Sequence, residues 1–414
     1  SPYFNMNEAI VQLFEVFIKN IFSKSHKELT KQIIWKKIYI KKKYDDVRFR
    51  KLNSELLKLV EQFLAQEIYL DNPIHQATHL IEAVGEKKLD KLYNSTMKTA
   101  RRLSDQQKYR PASYYFYQYK IERNFYELTQ LDVKRAKRGN EDLIAENLDQ
   151  FYLAEKLKIF CTILSRQTEV DHKYDMLLNE EIISHLKANQ WYVDIPPISI
   201  YFQIYLTYAE PQNEEHYFKL KKQLGKNSLL FPLDEANQIY EHALNYCATK
   251  INKGNQNFLR EYFELYRDLI EKEIILENGE LSPWHYKNLI LASLRLGEFD
   301  WTEDFINVYS NKLPSEFREN AMTYNLASLY FYQKKYDKVI RLLNQVVYED
   351  LAYNLNSKLM LIAVYYETDE IEPLYSLFES FRVYLNRKKS IPAARKRRYL
   401  NLIKYTKKLT IKKN

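Results

Sequence analysis

Tyr286-Lys287-Asn288-Leu289-Ile290-Leu291-Ala292-Ser293-Leu294-Arg295-Leu296 reads as an apolar helix, and Gly297-Glu298-Phe299-Asp300 ends it in a tight turn. The same arrangement recurs twice before Leu385, at Lys334-Lys335-Tyr336-Asp337 and at Asp369-Glu370-Ile371-Glu372. Phe299, Tyr336 and Ile371 stand 37 and 35 residues apart, and each turn is flanked on both sides by residues at helical apolar spacing. A period of this size is the signature of stacked helix pairs, in which no unit buries its own apolar face and each depends on its neighbours. The fold expected is all-α, an α-solenoid of antiparallel helix pairs with an irregular helical region before it.

Composition agrees along the whole chain. Six glycines and eleven prolines in 414 residues are too few for the turns of a β fold or for Gly-rich ligand loops. A 46% apolar content supplies a large core, while 28% charge and the absence of any apolar run near the ~20 residues of a membrane span point to a soluble, cytoplasmic protein. Cys161 and Cys247 lie in apolar helical stretches and read as buried small hydrophobes in a reducing compartment. The 36 tyrosines are expected to pack their rings between helices and to keep their hydroxyls wet. Ser1-Pro2-Tyr3-Phe4-Asn5 opens without an initiator Met, so we expect the natural chain to start upstream.

Breakers such as Pro73, Gly139, Pro196-Pro197, Gly225, Gly254, Pro283 and Pro314 fall between helical segments and imply fifteen to eighteen helices. They divide the chain into 1–72, a helical module of helix-turn-helix character; 73–194, irregular helix pairs; 195–386, regular helix pairs; and 387–414, a basic capping helix. The regular pairs are 195–209 with 213–224, 233–252 with 255–275, 283–296 with 299–312, 316–333 with 336–348, and 355–367 with 371–386. Leu326, Tyr330 and Leu343 are expected between neighbouring helices.

The last three pairs resemble the tetratricopeptide repeat. In the middle one, Leu326, Ala327, Tyr330, Tyr336, Val339, Leu343 and Val346 fall on that family's packing and turn positions. The pair before it supplies Tyr286, Leu289, Gly297, Phe299, Ile306 and the closing Pro314, but has Ser293 and Thr302 where an aromatic and an alanine are usual. The last supplies Leu361, Tyr365, Ile371, Leu374, Phe378 and Phe381. The resemblance covers about a quarter of the chain. It implies a right-handed superhelix whose first helices line a concave groove holding a peptide or a partner helix. Lys287, Arg295, Tyr324, Asn325, Tyr332 and Tyr366 are the residues on those helices that the packing pattern leaves over, and they are the expected groove contacts.

Near the N-terminus, Lys27–Tyr39 reads as a helix, 41–46 as a turn and Val47–Tyr69 as a longer helix with Leu52, Leu56, Leu59, Val60 and Phe63 in a core. Eleven Lys/Arg against three acids between Lys24 and Lys51 give it a basic face. Arg48, Arg50 and Lys51 near the helix start are where a DNA-reading helix carries its contacts. At the other end, 387–414 holds twelve basic residues and no acid, so a chain of net charge +9 is −3 without its tail. Tyr399, Leu402, Ile403 and Leu409 form a stripe suited to capping a helix stack, and Arg395, Lys396, Arg397 and Arg398 an anion or nucleic-acid contact.

Signals for chemistry are thin. His75 and His79 share a helical face, but position 76 is Gln where zinc peptidases carry Glu. Cys161 with His172, and Cys247 with His242, are too generic to be a nucleophile and base. No phosphate loop, dinucleotide fingerprint or nucleophile elbow is present, so no catalytic residue, metal or cofactor is expected. The reading is a non-enzymatic scaffold for a protein or peptide partner. A nucleic-acid-binding regulator is the second reading and an enzyme on a helical toroid, using paired carboxylates, the third.

Overall fold

The computed structural model describes residues 5, 7–22, 30–129, 139–167, 174–345, 351–388 and 390–413. Among these are nineteen α-helices: α1 (Glu8–Ile21), α2 (Lys31–Ile38), α3 (Asp46–Leu70), α4 (Pro73–Glu86), α5 (Asp90–Asp105), α6 (Ala112–Thr129), α7 (Glu141–Gln167), α8 (Asn179–Ala188), α9 (Pro196–Ala209) and α10 (Glu215–Asn227). Then come α11 (Leu233–Asn252), α12 (Asn257–Glu271), α13 (Pro283–Arg295), α14 (Phe299–Tyr309), α15 (Ser315–Tyr332), α16 (Tyr336–Gln345), α17 (Leu351–Glu367), α18 (Ile371–Arg387) and α19 (Ala393–Lys413). The all-α expectation holds apart from one two-rung antiparallel ladder, Leu276–Glu277 with Glu280–Leu281, between α12 and α13. Val346 and His172 lie outside the described residues. The helices fall into two compact units, Ser1–Leu153 and Ala154–Asn414, with the boundary inside α7.

In the N-terminal unit, local chemistry sets the starts of α2, α3 and α4. Thr30, Asp45 and Asn72 accept backbone N–H bonds from Ile33, Arg48 and His75, and Pro73 occupies the first helical position, where its missing N–H costs nothing. One core joins α1, α2 and α3 through Leu13, Ile34, Trp35, Phe49 and Leu52, and Trp35 Nε1 donates to Lys42 O at 3.0 Å to close the α2–α3 turn. A second joins α4, α5 and α6 around Ile81, Ala100 and Ile121. Val60 and Phe63 do not belong to either core: both are exposed, because α3 runs on past the helices that cover its first half.

In the C-terminal unit, α9 is apolar nearly all round and is accordingly covered on all sides by neighbours that include α10 and α11. Consecutive helices pack as hairpins: α9 with α10, α11 with α12, α13 with α14, α15 with α16, and α17 with α18. Beyond its hairpin partner, α15 also touches α13, α14 and α17. That crowding corrects the expected orientation of α15. Ala321, Ala327 and Leu329 are buried and Leu343 with them, whereas Leu326 and Tyr330 are only half-buried.

The repeated turn is real and has one backbone geometry. Gly297, Lys334 and Asp369 all adopt positive φ, at 78°, 59° and 57°. The N–H of the following residue bonds back to the carbonyl five residues earlier, from Glu298 to Ser293 (3.0 Å), Lys335 to Tyr330 (2.9 Å) and Glu370 to Tyr365 (2.9 Å). This left-handed closure satisfies carbonyls that the helix end would otherwise leave open. The same bond follows α4, α11 and α12, at Leu89 to Val84, Asn255 to Lys250 and Ile274 to Leu269, each 3.0 Å.

Three buried tyrosines tie α9 to α11, α10 to α12 and α11 to α12. Tyr201 Oη donates to Glu235 Oε1 at 2.6 Å, Tyr217 Oη to Glu261 Oε2 at 3.0 Å, and Tyr240 Oη to Asp268 Oδ2. Each carboxylate is also met by a lysine, from Lys158 (2.9 Å), Lys221 (2.6 Å) and Lys272 (2.9 Å) respectively. The tyrosine hydroxyls are therefore bonded inside the protein rather than wet, as burial of a polar group requires.

Candidate partner-binding face

The six residues expected on the groove divide by depth. Asn325 is 1% exposed with its Nδ2 donating to Ala321 O at 2.8 Å, and Tyr324 is 8% exposed with its ring edge-on to Tyr353 at 5.1 Å. Neither is available to a partner, because they sit at the centre of the face that α15 turns toward its neighbours. Lys287 is half-buried on α13. Arg295 and Tyr332 are exposed and structurally equivalent, each two residues before the left-handed turn residue of its hairpin. Arg295 Nη2 donates to Gln256 Oε1 at 2.7 Å across the start of α12. Tyr366 lies one position earlier in its own repeat and is half-buried, with Lys413 Nζ 5.1 Å from its ring centre and bonded to its carbonyl.

A deeper feature lies further up the same unit. A cleft of about 370 Å³ opens where the end of α7, the end of α9 and the second half of α11 converge. Burial of Ala243, Leu244, Tyr246 and Cys247 fixes the roll of α11. That leaves Asn245, Thr249 and Asn252, at i, i+4 and i+7, exposed along one side of the cleft. Gln212 and Pro211 form its lip, and Tyr246 Oη donates to Pro211 O at 3.1 Å, holding the lip to α11. Lys250 is fixed beside it by Glu214 (2.9 Å) and the Tyr246 ring. Among the described residues, no hydrogen bond engages the Asn245, Asn252 or Gln212 amides. Amides carry both donors and acceptors, so this wall matches the alternating N–H and C=O of a peptide backbone.

Asn245, Asn252 and Gln212 were not picked out from the sequence, since an amide on a helix reads as a solvated position. The missed signal is the seven-residue spacing of Asn245 and Asn252 on a helix whose other face is buried; Gln212, in the connection between α9 and α10, carries no such signal.

Beneath the cleft, Tyr208 Oη and His242 Nδ1 share a hydrogen bond at 2.9 Å, and burial pushes the His242 imidazole down to about 4, so it is neutral near pH 7. Burial pushes the Cys247 thiol up to about 12 and that of Cys161, which donates to Tyr201 O, higher still. Both are poor nucleophiles in this state.

The basic residues are placed as follows. Arg48 stacks over the Tyr39 ring at 5.0 Å and Arg50 pairs with Asp46 at 2.8 Å, so two of the three cations at the start of α3 are engaged locally, while Lys51 is exposed. On α19, Arg397 and Arg398 are exposed, Lys396 is half-buried, and exposed Arg395 bonds Tyr399 Oη at 3.2 Å. The expected capping stripe is half right. Ile403 is buried and Tyr399 packs beside it against α18, but Leu402 and Leu409 face outward and Thr410 takes the inner position.

His75 and His79 do meet, with their Nε2 atoms 3.1 Å apart. Their other nitrogens are taken by Tyr117 Oη (3.1 Å) and Glu82 (3.0 Å), and among the described residues no group of three metal-ligating side chains occurs. Among the described residues, too, no helix is long and apolar enough to cross a membrane.

Compared with known proteins, the chain matches no protein family, no curated protein and no solved structure.

Proposed function

We propose that the protein is a non-enzymatic cytoplasmic scaffold whose C-terminal unit is a right-handed solenoid of tetratricopeptide-like helix pairs. An extended segment of a partner protein lies along the first helices of the pairs, and the cleft at α7, α9 and α11 is its anchor point. The observation that carries this reading is the row Asn245, Thr249 and Asn252, exposed along a cleft and, for the two amides, without a hydrogen-bond partner among the described residues. A backbone segment can satisfy these groups without depending on its own side chains, and exposed Arg295 and Tyr332 further along add an arginine and an aromatic of the kind that anchor interfaces.

Site-specific photo-crosslinking tests the proposal. A photoreactive residue at Asn252 is expected to capture a defined protein in the native cell, and one at Asp300, on the solvent side of α14, is not. Equal labelling from both positions would remove the reason for placing the partner in this cleft.

The outward face of α19 favours a second reading, contact with nucleic acid through Arg395, Arg397 and Arg398. It would show as binding to random-sequence DNA that falls steeply with salt.

A further inference from the structure

Helix α3 outruns its cover. Phe49, Leu52, Leu56, Leu59 and Phe63 recur at the alternating three- and four-residue spacing of a coiled-coil seam. The first two are buried against α1 and α2 and the next two half-buried, but Phe63 is 51% exposed. The reason is length. The beginning of α1, at Asn7 and Ile10, lies beside Glu55, Lys58, Leu59 and Gln62, so among the described residues the cover reaches as far as Gln62 while α3 continues to Leu70, about 12 Å further.

A second apolar row runs next to the seam. Leu57, Leu64 and Ile68 are 58%, 54% and 75% exposed. At 100° per residue the two rows merge into one arc covering about half the helix circumference. Glu67 is the only charged residue within it. α4 meets α3 only at its end, where the Tyr69 ring meets His75 and Gln76 Nε2 donates to the carbonyls of Tyr69 and Leu70.

Folded proteins that act alone rarely leave so continuous an apolar patch in water. Leu57, Val60, Phe63, Leu64, Ile68 and Leu70 each offer on the order of 100 Å², or roughly 600 Å² per copy, against the ~800 Å² per partner of a standard specific interface. Charge does not call for a different molecule, since the arc holds one acid and no base. Shape calls for a like one. The surface that completes the seam beyond Gln62 is an apolar helical ridge of the same pitch, and α3 itself presents that ridge. We infer that residues 56–70 of α3 form the interface of a two-fold dimer of this chain, in which the patch on one copy covers the same patch on the other.

Sedimentation velocity on the full chain from about 1 to 100 µM tests this. The wild-type chain is expected to pass from monomer to dimer across that range. Leu64→Arg with Ile68→Arg is expected to weaken the dimer at least about thirtyfold, the scale of an interface hot spot, with the helical circular dichroism unchanged. Should that pair disturb the fold, Leu57→Lys, at an equally exposed position, carries the same expectation. A wild-type chain that stays monomeric throughout, whether or not it binds lipid vesicles or another protein, overturns the inference. So does a dimer that the substitutions leave at its original affinity.

Discussion

His242 shows how far a single side chain in this protein is from its behaviour in water. Its ring is enclosed with Nδ1 hydrogen-bonded to Tyr208 Oη, and burial holds its pKa near 4 against an ordinary 6.5. The folded pKa is thus lower than the unfolded one. Between those values the unfolded chain binds the extra proton, so stability is complete above about pH 6.5 and falls as the pH drops toward 4, by on the order of 3 kcal/mol from this group. Urea unfolding at pH 7.5 and pH 5 is expected to show about 2 kcal/mol of that loss, and His242→Gln to remove most of the difference between the two pH values. An equal pH dependence in the variant would mean that other groups carry it. The same scale shows where sequence reasoning stopped. Aromatic rings between helices are legible from their spacing. The partners of their hydroxyls are not, because Glu235, Glu261 and Asp268 lie 28 to 44 residues away from Tyr201, Tyr217 and Tyr240 and look like ordinary surface acids.

Elements were more legible than side chains, and their turns most of all. Gly297-Glu298-Phe299 and its two counterparts share a left-handed residue and a five-residue back-bond, although only the first uses glycine. Lys334 and Asp369 bear the strain of an L side chain in that conformation, while a Cβ at Gly297 would meet no atom within 4 Å. The cost there is purely one of backbone conformation. Gly297→Ala is therefore expected to lower stability by about 1 kcal/mol and Lys334→Gly to raise it by about 0.5–1 kcal/mol, read from urea midpoints at constant slope. Changes of the same sign at the two positions would refute the equivalence of the turns. The upstream copies after α4, α11 and α12 were not legible because the spacing between them is irregular, even though Lys88, Gly254 and Glu273 adopt the same conformation. The roll of α15 escaped for a different reason. Helical spacing shows that a helix has faces, but one touching α13, α14, α16 and α17 buries most of them, so Tyr324 and Asn325 went inward and Leu326 partly outward.

At the scale of the molecule, two compact units carry different surfaces. The N-terminal one leaves an apolar arc on α3, and the C-terminal one leaves polar amides along a cleft. An all-α chain of helix hairpins could be read from the scarcity of glycine and the period near 36 residues. The cleft could not, since it depends on α7, α9 and α11, whose lining residues Ser165, Thr207 and Asn245 are far apart in sequence. Apolar surface and amide surface favour different occupants, and the proposed partner belongs to the second. The most direct measurement is titration calorimetry of the crosslinked partner, or its contacting segment, against the wild-type chain and against Asn245→Ala with Asn252→Ala. At least tenfold weaker binding, about 1.4 kcal/mol, with an unchanged melting temperature is the predicted result. Equal affinity for the two proteins would contradict the assignment of the α7–α9–α11 cleft as the partner's anchor.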